Sequence, residues 1–148
     1  MTAALELLVA DDSPDDVFLL RQAFKKAGVT APFSVVGDGA EAVAYLQGQG
    51  AYHDRAAHPF PDVLLLDLNM PQRNGFEVLE WIRQDERCSR LTVHVLTASA
   101  RPRDVERVYE LGANSYVVKP SRMDDLAGFV AALHAWHSYV SVTPRPTQ

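Results

Sequence analysis

One cysteine, Cys88, stands in the 148 residues of this chain, so it can build neither an internal disulfide framework nor a thiolate metal centre. Basic charge is also short. Lys and Arg total 14 against 19 Asp and Glu, for a formal charge of −5, which argues against phosphate-neutralising contacts with DNA or RNA. No apolar run approaches the roughly 20 residues that span a bilayer. The N-terminal apolar stretch is short, carries Glu6 and runs into Asp11 and Asp12, unlike a secretory signal. There is no internal repeat and no sign of a second domain. These absences read as a reduced, cytoplasmic protein of one domain, with no nucleic acid and no membrane among its partners.

What is present is globular: 47% hydrophobic and 22% charged residues, enough for one proper core. Short apolar runs alternate five times with helical patterns. The runs are predicted as strands over 5–10, 33–36, 62–66, 91–96 and 115–118, and helices follow each of them. The first helix begins with Ser13 as N-cap, Pro14 in the first turn and Asp15 and Asp16 near the positive dipole end. Residues 48–61 break the rhythm with two Gly, two Pro and two His and read as a long surface loop. Ser121 with Asp124 reads as a capping box for the last helix, which is expected to run to about Ser138. Alternating β and α elements predict an α/β fold with a doubly wound parallel five-stranded sheet; in the order 2-1-3-4-5, strands one, three, four and five would be neighbours.

Four of the apolar runs end on residues that can do chemistry: Asp11 and Asp12 after LLVA, Asp67 after VLLL, Thr97 after TVHVL and Lys119 after SYVV. In an open α/β sheet, functional groups collect at the carboxyl ends of the strands. Each residue also has an ordinary reading. Asp11 and Asp12 can be a solvated pair capping the next helix, or oxygen ligands for Mg²⁺. Asp67 can be a loop-start acid, although a carboxylate ending a buried strand is costly unless it is paired or metal-bound. Thr97 can be a plain β-former, and Lys119 a solvated strand end whose bond to Pro120 can be cis. Taken jointly, the strand order brings all of them to one pocket. Asp67 is then the natural nucleophile, and attack on phosphorus would give an acyl phosphate.

These residues resemble the receiver domain of bacterial two-component response regulators. The likeness runs from about Leu5 to Ser138 and rests on Asp11-Asp12, Asp67 within DLNMP, Gly75, Thr97-Ala98, and Tyr116 three residues before Lys119-Pro120. It implies a (βα)5 flavodoxin-like three-layer sandwich, a receiver domain over residues 1–139 and a C-terminal tail over 140–148 with no output domain. It implies Asp67 as phosphoacceptor, with Lys119 and Thr97 assisting. Mg²⁺ would be held by Asp11, Asp12, Asp67 and the backbone carbonyl of Asn69, and Thr97 and Tyr116 would form the switch. It implies a signalling protein rather than an enzyme, phosphorylated by a sensor histidine kinase, that switches a protein–protein surface or passes the phosphoryl group on in a phosphorelay. The stretch ADDSPDD, the Asn of DLNMP and the long loop before the third strand are similar to the small regulators of phytochrome-type kinases. Members of that subgroup are often homodimers through the C-terminal region.

Rival readings leave marks that can be checked. A phosphatase-type hydrolase wants a second acid two residues after the nucleophile, where this chain has Asn69. A flavin-binding fold wants a phosphate-cradling first loop, and DDSPDD is too acidic for that. A receiver that only docks a partner, without phosphorylation, is expected to lack a key residue, and none is lacking. His134 and His137, three apart on the last helix, are expected to be surface or interface positions. Trp136 and Tyr139 are the better markers of a contact.

Overall fold

The computed structural model describes residues 5–140. Five strands, β1 (Leu7–Ala10), β2 (Phe33–Val36), β3 (Val63–Leu66), β4 (Thr92–Thr97) and β5 (Ser115–Val118), alternate with five helices. The helices are α1 (Pro14–Lys26), α2 (Gly39–Gln47), α3 (Gly75–Gln84), α4 (Pro102–Glu110) and α5 (Met123–Ala135). All strand pairs are parallel and the sheet order is β2-β1-β3-β4-β5, the order expected.

Strand side chains alternate between faces, and here both faces are covered. Leu8, Leu64, Leu66, Val93 and Val95 pack on one side with Leu46, Val78, Leu79, Ile82 and Val108 from α2, α3 and α4. Leu7, Val9, Val63, Leu65 and Leu96 pack on the other with Leu20, Phe24, Leu126, Val130 and Leu133 from α1 and α5. That double burial is why β1 and β3 read as unbroken apolar runs rather than alternating ones. Cys88 belongs to the first core, and burial pushes its thiol up to about 12, so it is an apolar filler and not a nucleophile.

Local signals set most helix starts. Ser13 accepts the backbone N–H of Asp16 at 3.2 Å, and Asp38 accepts that of Glu41 at 2.7 Å. Asn74 and Glu77 form a reciprocal capping box at the head of α3. The last helix departs from expectation. Its N-cap is Arg122, with no side-chain capping bond, so Ser121 falls one position too early to serve. Asp124 instead pairs with Lys26 of α1, tying the two helices on that face together. After α5 the chain continues as a wider, π-type turn over Trp136–Val140. Of the tail expected over 140–148, residues 141–148 lie outside the described residues, as does the side chain of Tyr139.

The loop over 48–61 is better fixed than its composition suggests. It holds one 3₁₀ turn, Gly50–Tyr52. The Arg55 guanidinium donates to the carbonyls of Tyr45 at 2.8 Å, Leu46 at 2.9 Å and His58 at 3.1 Å. The last turn of α2 is closed by Gly48 in the left-handed region, whose N–H donates to the Tyr45 carbonyl at 3.1 Å, and Arg55 adds a second donor there and one for Leu46.

His137 is a correction to the reading of the last helix. It is buried, with 8% of its surface exposed, and its Nε2 lies 2.9 Å from Nε2 of His94 on β4. The other nitrogen of His94 lies 2.6 Å from the Ser115 hydroxyl. An N–H···N bond between imidazoles needs one bare nitrogen, so the joint tolerates little added charge. Burial first, then the neighbouring His137, pushes His94 down to about 4. The folded value lies below the ordinary 6.5, so the native state binds fewer protons between those limits. Stability from this joint is complete above pH 6.5 and is lost as pH falls toward 4, on the order of 2 kcal/mol. Urea unfolding of the wild type at pH 7 and pH 4.5, beside His94→Asn, reads the effect: the wild type should lose more stability than the variant by about that amount. Parallel losses in the two proteins would remove His94 as the cause.

Candidate functional site

The carboxyl ends of β1, β3, β4 and β5 meet at one edge of the sheet, and the residues that end those strands meet with them. Asp11 follows β1 and is nearly buried, at 8% exposure. One of its oxygens accepts the backbone N–H of Ser13 at 2.9 Å, which fixes the turn from strand into α1. Asp67 follows β3 at 6% exposure. Its Oδ1 accepts the Thr97 hydroxyl at 2.9 Å and the Asn69 N–H at 3.4 Å. Its Oδ2 accepts from the Lys119 ammonium at 3.2 Å. Thr97 closes β4 and is fully buried. Asp12 and Asn69 are exposed at the rim.

Lys119 is the hub. Its Nζ lies 2.7 Å from Asp16, 2.8 Å from Asp11 and 3.2 Å from Asp67. Burial lowers the basicity of this ammonium, yet its hydrogen bonding to the Asp11 and Asp16 carboxylates and the charges of Asp11 and Asp67 outweigh it, so its pKa rises. Asp11 shows the complementary imbalance. Desolvation raises its pKa more than the lysine lowers it, as expected where several carboxylates share one ammonium. The Lys119–Pro120 bond is trans, as is every peptide bond among the described residues.

Asp11, Asp12 and Asp67 each offer an oxygen, and these oxygens all lie within 4.8 Å of one another. Hard carboxylate donors, one of them exposed so that water can complete the shell, fit a small divalent cation such as Mg²⁺ or Mn²⁺. The excess of negative charge gives the same answer, since a cation among the three relieves their mutual repulsion.

The backbone around Asp67 is held on both sides. Its N–H donates to the Ala10 carbonyl at 3.0 Å. Gly75, at the head of α3, packs against its carbonyl so closely that a Cβ there would stand 2.3 Å from the oxygen. In the intervening loop, Gln72 adopts a left-handed φ of 68°, and the Arg73 N–H donates to the Pro71 carbonyl at 2.8 Å.

Tyr116 sits on β5, half-buried, and its hydroxyl donates to the Ser99 carbonyl at 2.8 Å. The Ser99 hydroxyl in turn donates to Asp104 in the first turn of α4 at 2.6 Å. The loop after Thr97 is thereby joined to both β5 and α4.

All the residues expected at the site are therefore in or beside it. The sequence reading missed Asp16, Ser99 and Asp104. Asp16 did carry a signal: it lies four residues before Leu20, on the stripe of α1 that faces the core, where an acid needs a partner.

A family comparison decides what this arrangement belongs to. Residues 7–131 match the model of the response regulator receiver domain. The chain is a member of that family. Among curated relatives, the response regulator Rcp1 of a Synechocystis strain is 35% identical over 130 residues, covering 88% of this chain and 86% of Rcp1. The crystal structure of RPA3017, a response regulator in red light signaling of R. palustris, superposes with a TM-score of 0.86 at 33% identity, covering 97% of this chain and 99% of that one. The phosphorylated cyanobacterial phytochrome response regulator RcpA gives a TM-score of 0.84 at 33% identity, over 96% and 99% of the two chains. Rcp1 has also been solved in a Mn²⁺-bound form, with a TM-score of 0.80 at 34% identity over 95% of this chain and 99% of that one. This receiver is thus homologous to phytochrome response regulators, and signalling by phosphorylation fits its site.

Proposed function

We propose that this receiver accepts a phosphoryl group from a sensor histidine kinase onto Asp67, with Mg²⁺ as its ion. The observation that carries this reading is the seating of Asp67, whose two oxygens face the Thr97 hydroxyl at 2.9 Å and the Lys119 ammonium at 3.2 Å. A carboxylate oxygen of Asp67 forms the bond to phosphorus as the bond from phosphorus to the donor atom breaks, and the donor leaves with the electron pair. Lys119 stands where negative charge gathers on the phosphoryl oxygens. Asp11, Asp12, Asp67 and the Asn69 carbonyl would hold Mg²⁺, which when bound would supply further positive charge at those oxygens. The residues that assist transfer also assist hydrolysis, so the protein promotes its own phosphorylation and dephosphorylation as a signalling protein rather than an enzyme.

Thr97 and Tyr116 act as the switch in this reading. Once a phosphoryl group occupies Asp67, the Thr97 hydroxyl has a new acceptor, and the loop that ends in Ser99 moves with it. Ser99 holds both Tyr116 and α4 through Asp104, so the face formed by α4, β5 and α5 changes and binds or releases a protein partner. Onward transfer in a phosphorelay uses the same acyl phosphate. Residues 1–139 act as the receiver unit in a cytoplasmic setting. The homology to RcpA and Rcp1 supports a phytochrome-type kinase as donor. Trp136, 60% exposed on the turn after α5, supports homodimerisation through the C-terminal region.

Phosphate-affinity gel mobility after acetyl phosphate treatment tests the reading. Wild type with Mg²⁺ should give a retarded band, and EDTA or Asp67→Asn should abolish it. An unshifted wild type that still binds Mg²⁺ would point to a receiver that docks partners without phosphorylation.

A further inference from the structure

Three carboxylates hold the Lys119 ammonium, and they are not equivalent. Asp11, at 2.8 Å, and Asp67, at 3.2 Å, also belong to the group that can hold a divalent cation. Asp16, at 2.7 Å, does not. An ion bound by Asp11 and Asp67 draws on the same negative charge as the lysine and repels it. We infer that Asp16 is a positioning residue, the metal-independent seat that keeps Lys119 beside Asp67 when the cation is bound. This rests on the reading of Asp67 as phosphoacceptor and assigns Asp16 a part in the same site.

The geometry suits that part. An ammonium has three N–H donors; here it donates to Asp16 and Asp67 and pairs by charge with Asp11 at 2.8 Å. Asp16 sits in the first turn of α1, with its N–H donating to the Ser13 hydroxyl at 3.2 Å. Ser13 is in turn held by Asp11, which accepts its N–H at 2.9 Å. Asp16 is therefore fixed relative to the strand end, yet its side chain is 40% exposed. It lies at the rim of the pocket, so Lys119 can lean outward onto Asp16 or inward toward Asp67. With the cation in place, the lysine keeps a counterion and remains close enough to meet an arriving phosphoryl group. The simpler alternative is an acid at a helix N-terminus that only complements the dipole. That role would not depend on Lys119, and the difference can be measured.

Mn²⁺ affinity, read from the electron paramagnetic resonance signal of the free ion, gives the test. In wild type, Asp16→Asn should weaken Mn²⁺ binding about tenfold, because Lys119 then competes with the ion for Asp11 and Asp67. In a Lys119→Met background the same change should cost about threefold or less, the residue of a screened surface charge. Asp16→Glu should restore most of the affinity. Equal changes in the two backgrounds, or no change in either, would overturn the inference. Asp67→Asn in the acetyl phosphate assay separates the two levels. If Asp67→Asn is still phosphorylated, the reading of the acceptor fails. If it is not, and Asp16→Asn binds Mn²⁺ as wild type does, only the role of Asp16 fails.

Discussion

Lys119→Met should slow phosphoryl transfer to Asp67 by about 100-fold, the usual cost of removing a preorganised partner of developing charge. The substitution keeps the length and apolar stem of the side chain and deletes only the ammonium. What it leaves behind is severe. Asp11, Asp16 and Asp67 lose the cation that lies 2.7–3.2 Å from each of them, and an incoming phosphoryl group meets uncompensated carboxylates. A time course of acetyl phosphate labelling on phosphate-affinity gels measures the effect. Saturating Mg²⁺ should recover part of the rate, since it neutralises the same charges, but not the contact on Asp67. A variant within threefold of wild type under both conditions would show that Lys119 is only a structural counterion.

The second large effect belongs to a residue with no side chain. Gly75→Ala should destabilise the fold by about 3 kcal/mol, at the upper end for overpacking. The new Cβ would stand 2.3 Å from the Asp67 carbonyl oxygen and 2.7 Å from the Leu68 Cα. Both are backbone atoms, so no rotamer change relieves the clash. Relief requires α3 to move away from the β3 end, breaking the bond from the Gly75 N–H to the Leu68 carbonyl at 2.9 Å and shifting Asp67 itself. A fall in the urea midpoint should therefore accompany a loss of labelling at Asp67. Gly128→Ala is the matching control. Nothing lies within 4 Å of its added Cβ, and in the body of α5 the change should stabilise by up to about 1 kcal/mol. If the two alanines behave alike, close packing at Gly75 is not what holds the acceptor in place.

Asp67, Thr97 and Lys119 could be read from the chain because each is a local event, a polar residue ending a run that is buried on both faces. Strand alternation and the parallel sheet order then brought them together by topology alone. The start of α1 was legible because its cap, Ser13, is local, whereas the equally local caps Asp38 and Asn74 were not read as such. At α5 the expected cap failed: Ser121 stands one residue ahead of the N-cap position, Arg122, where no side chain caps the helix. Contacts between residues far apart were not legible. Asp16 and Lys119 are 103 positions apart, and His94 and His137 are 43 apart. Nothing local to either member of these pairs names the other, even where, as at Lys119, the residue itself could be read.

The sequence by itself determined the layered α/β class and the acidic site, since those follow from periodicity and from what ends each apolar run, while the sheet order came with the resemblance to receiver domains. Only the tertiary structure decided how charge is shared inside that site and which histidines are buried. Charge sharing depends on distances of about 3 Å between side chains from different elements, and the chain pattern brings elements together without setting such distances. Asp16 joined the site because Lys119, just past the end of β5, reaches it at 2.7 Å. His137 joined the core because the turn after α5 folds back onto β4.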